Sequence, residues 1–456
     1  MTTSANHLRA VTAIGAIALL SPGHSAGPGA VFSTKGSPSV GDIDKHVEAI
    51  MKANDVHQAS LAIVMGPRLV YAKAYTYAPP GATETLPTTF FRQASCSKFL
   101  TALAIMQLIE EGKLTRETKM QDVLHLTTHD GKPPKDSRFD KITVQELLEM
   151  RSGLQNDAPF NDVVVSKATG KALPVNVKQV EEYAAGENLM NAPGNRSKAF
   201  YSNTDFSFLG YIVAKERGAA NLADALKKSI FEPLGIKRIR ASRSLRERQL
   251  ADEAMYYSNP YQTAPSVMTP PQPQVEVEYG DENLQNFEGG GGLSAAATDY
   301  ARILAALNEP TDNIIFKKSS TYTQMLNWSY DCYKDSRFAS SAFGYYGLDS
   351  CLPMSGSPGH FEADKGGYLE TSQNGIYFQS GGLAYVICWD GHTPNGESWY
   401  PAFDSVIDAA SKAKWGMTDL FPKYGMPSLP NSAMMPQVRK AAISPRDIGT
   451  LKRAKQ

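Results

Sequence analysis

A serine and a lysine three residues apart, Ser95 and Lys98, offer the strongest chemistry in the sequence. Residues three apart share one face of a helix, so the lysine amine can reach the serine hydroxyl. A serine hydroxyl is a weak nucleophile that needs a base, and a lysine can be that base when burial or a neighbouring cation lowers its pKa. A helix beginning here would also offer free N–H groups and a positive dipole end to an oxyanion. The pair therefore predicts nucleophilic acyl chemistry on Ser95.

The same spacing recurs at Ser411 and Lys414, near the end of the last predicted helix, where two solvated side chains are the simpler interpretation. Ser95 differs because it follows a predicted hairpin and a loop rich in threonine and proline, and it begins a strongly apolar helical pattern. The structural alternative is that Ser95 caps a buried helix and Lys98 extends its amine to water. The context favours Ser95 and Lys98 as a reactive pair.

A second motif, Tyr201-Ser202-Asn203, supplies groups that acyl chemistry on a serine would need. The Tyr201 phenol could relay protons to a leaving group, and the Asn203 amide could donate to a substrate carbonyl. The triplet at 257–259 repeats the pattern but runs into a proline-rich loop, whereas Tyr201 begins a helical pattern. We therefore assign the chemistry to Tyr201, with packing of its ring in the core as the alternative.

A third motif is Lys365-Gly366-Gly367, which precedes predicted strands. Glycines would let the backbone approach a ligand closely, and the lysine would supply a positive charge for a carboxylate. Alone the motif is a weak indication, because Lys-Gly and Gly-Gly pairs are common in turns. The alternative is that Lys365 is a solvated charge at the end of a strand.

The apolar patterns predict sheet elements at both ends of the chain and helices between them. Strands are predicted at 61–65, 69–77, 375–378 and 383–389, and helices at 43–53, 96–111 (with one buried face), 295–307 and 399–415. We therefore divide the chain into an α/β domain (36–113 and 289–416), an inserted helical domain (114–288) and a loosely packed C-terminal arm (417–456). A cleft between two such domains is a usual place for a site.

Residues 1–35 are predicted to be a signal peptide or a disordered leader. An apolar run from Ala10 to Leu20 follows Arg9 and precedes small residues. This pattern is typical of secretory signals and predicts a secreted or periplasmic protein, with a leader that is not exported as the alternative. In an oxidising compartment Cys332 and Cys351 could form a disulfide, or both could remain free thiols.

Composition excludes several classes of function. The chain of 456 residues has 46 Lys and Arg against 46 Asp and Glu, and a neutral chain gains little from counterion release on nucleic acid. No apolar run reaches the ~18–20 residues that span a bilayer. The cysteines lack the paired spacing of a zinc site. We expect a globular protein that uses no metal or other cofactor and acts on a small-molecule or short-peptide acyl substrate; its oligomeric state is left open.

In their order, the three motifs resemble those of the serine β-lactamase and penicillin-binding protein superfamily, and the surrounding segments resemble its class C and esterase (class VIII carboxylesterase-like) branch. Five segments within about residues 40–415 carry the resemblance: FFRQASCSKFLTALAIMQLIEEGKL, ITVQELLEMRSGL, PGNRSKAFYSNTDFSFLGYIV, FEPLGI and GGGGLSAAATDYARIL. The resemblance implies a β-lactamase/transpeptidase-like α/β (α+β) fold, in which an antiparallel sheet is flanked by helices and carries an inserted all-helical domain.

The resemblance also implies catalytic roles. Ser95 would be the acylated nucleophile, and Lys98 would deprotonate it. Tyr201 would share the proton transfer and help to activate water for deacylation. Asn203 would position Lys98 and the acyl group of the substrate.

On the substrate side, the resemblance implies an oxyanion hole formed by the N–H groups of Ser95 and Tyr368, with Lys365 attracting a substrate carboxylate. Members that bind β-lactams and peptides usually have Lys-Thr-Gly, and here Gly366 replaces the threonine whose hydroxyl helps to bind the carboxylate. Gly366 and Gly367 together are typical of esterase relatives, whereas Lys365 is typical of the other members.

The leading functional hypothesis is a serine hydrolase that cleaves ester or amide-type acyl bonds through an acyl-enzyme on Ser95, most similar to the esterases. The alternatives are a D-Ala-type carboxypeptidase, a peptidase or a weak β-lactamase, which would rest on Lys365. An acyltransferase, and a relative that binds a ligand without catalysis, are also kept open.

Overall fold

The computed structural model describes residues 29–157, 160–258, 261–308, 313–369, 371–391 and 400–430. The predicted leader up to residue 28, and the predicted arm from residue 431 onward, lie outside these ranges. The structure therefore describes only residues 29–35 of the predicted leader.

The strands are Val31–Ser37 (β1), Gln58–Met65 (β2), Arg68–Ala78 (β3), Phe90–Arg92 (β4), Ile239–Ala241 (β5), Thr263–Pro265 (β6), Gln274–Glu276 (β7), Leu293–Ala296 (β8), Ser350–Pro353 (β9), Phe361–Leu369 (β10), Ser372–Gln379 (β11) and Leu383–Asp390 (β12). The helices are Gly41–Asn54 (α1), Ser97–Glu110 (α2), Met120–Leu124 (α3), Val144–Leu148 (α4), Asp162–Thr169 (α5), Val177–Gly186 (α6), Asn203–Arg217 (α7), Leu222–Leu226 (α8), Ala297–Ala306 (α9), Ser319–Lys334 (α10) and Tyr400–Lys412 (α11).

A seven-stranded antiparallel sheet organises the fold, with the strand order β1-β3-β2-β12-β11-β10-β9. The predicted hairpin is present as β2 and β3, which turn at Gly66 with φ +58°, a value that glycine adopts without strain. Strand β12 pairs with β2 and so joins the two ends of the chain in one sheet. The predicted antiparallel sheet flanked by helices is confirmed.

Helices cover both faces of this sheet. On one face α1 contributes Ile43 and Val47 to a hydrophobic cluster with Tyr71 and Tyr75 of β3, and α11 adds Val406 to it. On the other face α2 and α9 pack in the larger cluster. Strands β2 and β12 are consequently buried along almost their whole length, which explains their continuous apolar runs.

Helix α2 differs from its prediction of one buried face. All residues from Ser97 to Leu108 are buried, because the helix packs against α7 and α10 and its Phe99 ring lies 5.6 Å from that of Phe378 on β11. A helix that is enclosed on every side has no solvent face for polar residues. The sequence SKFLTALAIMQL accordingly carries few of them.

The predicted all-helical insertion, 114–288, also contains strands. Helices α3 to α8 lie there, but so do β5, β6 and β7. Strand β5 pairs with β8, which also pairs with β4, in a small three-stranded sheet. Each strand has only three residues, too few to show a period of two in the sequence.

The two ends of the fold also depart from their predicted boundaries. Strand β1 begins at Val31 and pairs with β3, so the predicted end of the leader at residue 35 lies inside the sheet. The arm predicted to pack loosely from residue 417 onward starts as part of the core: Leu420 donates its backbone N–H to Leu69, and Phe421 is fully buried.

The four cysteines all lie in described ranges, and all are free and buried. The disulfide that Cys332 and Cys351 could have formed is therefore not present. Within the described part of the chain, no helix combines the length and the apolarity that crossing a membrane requires.

Candidate active site

Ser95 lies in a short 3-10 turn, Ala94–Cys96, between β4 and α2. Ala94 has φ +48°, an unfavourable backbone conformation for a residue with a Cβ, which concentrates at functional sites. The turn is held because the N–H of Gln93 donates to the carbonyl of Leu293 on β8 at 2.6 Å. Cys96, not Ser95, occupies the N-cap position of α2, and no side chain caps the helix there. The capping interpretation of Ser95 therefore does not apply.

Lys98, one helical turn after Ser95, is fully buried. Its Nζ donates to Ser95 Oγ at 3.1 Å, to Asn203 Oδ1 at 2.6 Å and to the carbonyl of Gly290. Burial lowers the pKa of Lys98, the charge of Lys365 adds to this effect, and Tyr201 partly opposes it. A lowered pKa increases the fraction of neutral amine, the form that can accept a proton from Ser95.

Tyr201 lies between the two lysines of the site. The Nζ atoms of Lys98 and Lys365 are each 4.8 Å from the centre of its ring, and Lys365 Nζ donates to the Tyr201 Oη at 3.3 Å. Burial by itself would raise the pKa of Tyr201, but the charges of Lys365 and Lys98 outweigh it and lower this pKa below its usual value. The ring stacks on Phe343 at 4.7 Å. The two lysines thus make the phenolate easier to form than it is for a tyrosine in water.

Asn203 is held by Asn156 and Asp157, in the loop between α4 and α5, which the motifs did not reveal. Its Nδ2 donates to Asp157 Oδ1 at 2.9 Å while its Oδ1 accepts from Lys98, and its backbone N–H donates to Asn156 Oδ1 at 3.0 Å. Asn156 Nδ2 in turn donates to the carbonyl of Tyr201 at 3.1 Å. The amide of Asn203 is therefore oriented with its oxygen toward the lysine.

The loop is anchored through buried Asp205. This carboxyl group accepts from Ser152 Oγ at 2.6 Å and from Ser202 Oγ at 3.0 Å, and so connects the Ser-Gly-Leu segment to the start of α7. Burial raises the pKa of Asp205 to about 7, although the serine donors act in the opposite direction. The contact joins two of the segments that carry the resemblance noted above.

Strand β10 brings the third motif against the nucleophile. A Cβ at Gly367 would lie 2.4 Å from the carbonyl oxygen of Gln93 and 3.1 Å from the nitrogen of Ser95, so only glycine permits this approach. Lys365 points to the same face and is buried. The side chain of Tyr368, on the alternate face, is half exposed.

Replacing Gly367 by alanine is expected to lower kcat/KM by about 100-fold, since a displacement of about 1 Å between reacting groups costs that much. The added methyl group must move either β10 or the turn that carries Ser95. Hydrolysis of p-nitrophenyl acetate measures the loss. Gly375→Ala is the control, because it lies in the adjacent strand and its Cβ would meet only Ile387 at 3.5 Å; equal losses in both variants would contradict the steric argument.

Asp349 is a charged residue of the site that the sequence did not single out. Its Oδ1 accepts from Lys365 Nζ at 2.6 Å and its Oδ2 from the N–H of Gly366 at 2.8 Å. Burial would lower the pKa of Lys365, but Asp349 and Tyr201 raise it above its usual value. No motif includes Asp349, which lies 16 residues before Lys365 in the chain.

The repeated motifs that we set aside lie elsewhere. Ser411 is exposed on α11, with its Oγ bonded to the carbonyl of Asp408, and Lys414 is exposed beyond the helix. Tyr257 packs edge-on against His57, with 4.9 Å between ring centres. The structure thus brings together Ser95, Lys98, Tyr201, Asn203 and the segment 365–367. No group of three or more His, Cys, Asp or Glu side chains within the described ranges is placed to hold a metal ion.

Comparison with known proteins identifies the family of this chain and structures that share its fold. A family model described as Beta-lactamase matches residues 43–382. Protein flp of Staphylococcus aureus is 29% identical over 172 residues, which are 38% of this chain and 32% of that protein, so the match spans about a third of the curated relative.

Two solved structures share the fold at low identity. The D-amino acid amidase of Ochrobactrum anthropi has a TM-score of 0.57 and 19% identity, with 81% of this chain and 98% of that chain covered. EstCE1, described as a hydrolase with promiscuous acyltransferase activity, has a TM-score of 0.55 and 18% identity, with 81% and 98% covered. The family model spans well over half of the sequence, and the chain therefore belongs to the beta-lactamase family.

Proposed function

We propose that the protein hydrolyses esters through an acyl-enzyme on Ser95. The observation that carries the proposal is the position of a buried lysine, Lys98, with its Nζ 3.1 Å from Ser95 Oγ and its other contacts directed to Asn203 and Gly290. These contacts hold the amine beside the hydroxyl group. Gly366, in place of the threonine of the carboxylate-binding relatives, favours esters over β-lactams.

In the acylation step, Lys98 Nζ takes the proton of Ser95 as Oγ attacks the acyl carbon. The carbonyl oxygen becomes an oxyanion, which the N–H groups of Ser95 and Tyr368 would stabilise. Strand alternation supports this role for Tyr368: the N–H of Gly366 points to Asp349 at the edge of β10, and the N–H two residues later points to the same edge. The C–O bond then breaks, and the alcohol leaves with a proton passed through Tyr201.

In the deacylation step, the Tyr201 phenolate takes a proton from water, and the hydroxide attacks the acyl carbon. Ser95 Oγ leaves and takes a proton from Lys98, and Tyr201 passes to Lys98 the proton that it took from water, which restores the starting state. The low pKa that Lys365 and Lys98 impose on Tyr201 supports this role. An alcohol in place of water would give acyl transfer by the same steps.

Mass spectrometry tests the proposal directly. Incubation with p-nitrophenyl acetate should release p-nitrophenol with turnover and add one acetyl group to the protein, on the peptide that contains Ser95. Absence of both turnover and adduct in the folded protein would leave the ligand-binding alternative. The peptidase and β-lactamase alternatives predict instead that fluorescent penicillin labels Ser95 faster than the ester does.

Export is proposed separately, from the apolar run at Ala10–Leu20. N-terminal sequencing of protein recovered outside the cytoplasm should then begin after the leader.

A further inference from the structure

We propose that Asp349 occupies the anion-binding position of the active site with its own carboxylate, so that the enzyme selects acyl substrates whose leaving group carries no carboxylate. The inference rests on the proposed acyl-enzyme chemistry and assigns a specificity role to a residue outside the three motifs.

Asp349 makes the contacts that a bound carboxylate would make. One oxygen accepts from the ammonium group of Lys365 at 2.6 Å, and the other accepts from the N–H of Gly366 at 2.8 Å. An ammonium group beside a backbone N–H at a strand edge is a strong combination for an anion. In the described residues, β9 pairs with β10 only as far as Asp364, and so the Asp349 carboxylate fills the edge that follows.

Asp349 is also fixed in place. Its backbone N–H donates to the carbonyl of Asp364 on β10 at 2.9 Å, and the preceding Leu348 is buried. The side chain of Lys365 is 1% exposed and that of Asp349 is 16% exposed. A substrate carboxylate could pair with Lys365 only by displacing Asp349. The largely buried carboxylate of Asp349 would then lack its partner, which is strongly unfavourable.

The leaving group departs on this side of the site. Tyr201, which passes the proton to the leaving group in the proposed mechanism, receives a hydrogen bond from Lys365. A carboxylate on the leaving group would therefore come close to Asp349 and meet a lysine whose charge is already compensated. Asp157, a second acid near the site, accepts a hydrogen bond from Asn203. It adds a further negative charge and none that would attract a carboxylate. The site accordingly fits neutral leaving groups and rejects anionic ones.

Two esters with the same acyl group test the inference: phenyl acetate, and 3-acetoxybenzoate, whose leaving phenol carries a carboxylate. After division by their rates of alkaline hydrolysis, wild-type protein should prefer phenyl acetate by about tenfold or more in kcat/KM. Asp349→Asn removes the charge and keeps the size, and it should shift this preference at least tenfold toward 3-acetoxybenzoate, since Lys365 then becomes available.

Asp364→Asn is the matched control, because it removes the same charge from the residue next to Lys365 while its side chain contacts Ser350. It should leave the preference unchanged. Asp349→Ser is a second variant that removes the charge, and thermal unfolding of each variant shows whether it is folded. The preference of the wild-type protein tests the inference without any substitution. If phenyl acetate is hydrolysed but wild type shows no preference, or Asp349→Asn and Asp349→Ser leave it unchanged, the inference is overturned and the acyl-enzyme stands. If neither ester is hydrolysed and Ser95 is not acylated, both fail.

Discussion

Ser95→Ala should abolish ester hydrolysis, with a loss of about 10⁴-fold or more in kcat for p-nitrophenyl acetate. Without Oγ no acyl-enzyme can form, and the remaining groups can only bind the ester and polarise it, which leaves a small residual rate. Steady-state release of p-nitrophenol measures the loss, and intact mass spectrometry should show no acetylated protein. The substitution removes one hydroxyl group from a residue that is only partly buried and should leave the fold unchanged.

Ser411→Ala is the control for this variant, since Ser411 has a lysine at the same spacing but lies exposed on α11. Its activity should equal that of wild type. Activity that survives in Ser95→Ala, or is lost in Ser411→Ala, would show that the reactive pair has been misassigned.

Lys98→Met should lower kcat/KM for the same ester by about 10³-fold or more, because methionine fills a similar volume without an amine that can accept the Ser95 proton. The variant also leaves Asn203 Oδ1 and the Gly290 carbonyl without their donor, so thermal unfolding should be followed in parallel. The rate of p-nitrophenol release in the first turnover separates the loss of the proton acceptor from a loss of the fold. A folded Lys98→Met protein should be acylated slowly, with the adduct still on Ser95.

Lys414→Met provides the comparison, because this lysine is exposed and has the same spacing from a serine. It should retain full activity. A folded Lys98→Met protein that acylates as fast as wild type would mean that another group deprotonates Ser95.

The predictions from sequence succeeded where the signal is local. The hairpin of β2 and β3 and the apolar helix α2 each depend on residues that are close in the chain, since periodicity and turn residues are short-range properties. The family and the fold followed from the order of the motifs. Three-residue strands such as β5 were not predicted, because their partner strands are distant in sequence and their own apolar pattern is too short to be recognised.

The substrate side of the site shows the limit. The sequence presented Lys365 as a positive charge for a substrate carboxylate. The structure places Asp349 on that lysine and on the N–H of Gly366, and the preference that we propose is therefore the reverse of the one expected from the sequence. Asn156 and Asp157 were likewise found only in the structure, although they follow directly after the Ser-Gly-Leu segment.

The sequence by itself determined which groups can do chemistry in this protein: a serine and a lysine on one helical turn, a tyrosine and an asparagine at the start of another helix, and a lysine before two glycines. Only the tertiary structure decided what surrounds these groups, because burial, charge partners and the unpaired edge of β10 arise from contacts between distant segments. Those contacts lower the pKa values of Lys98 and Tyr201 and compensate the charge of Lys365. Protonation states and charge selectivity depend on such surroundings, and therefore they cannot be derived from motif spacing.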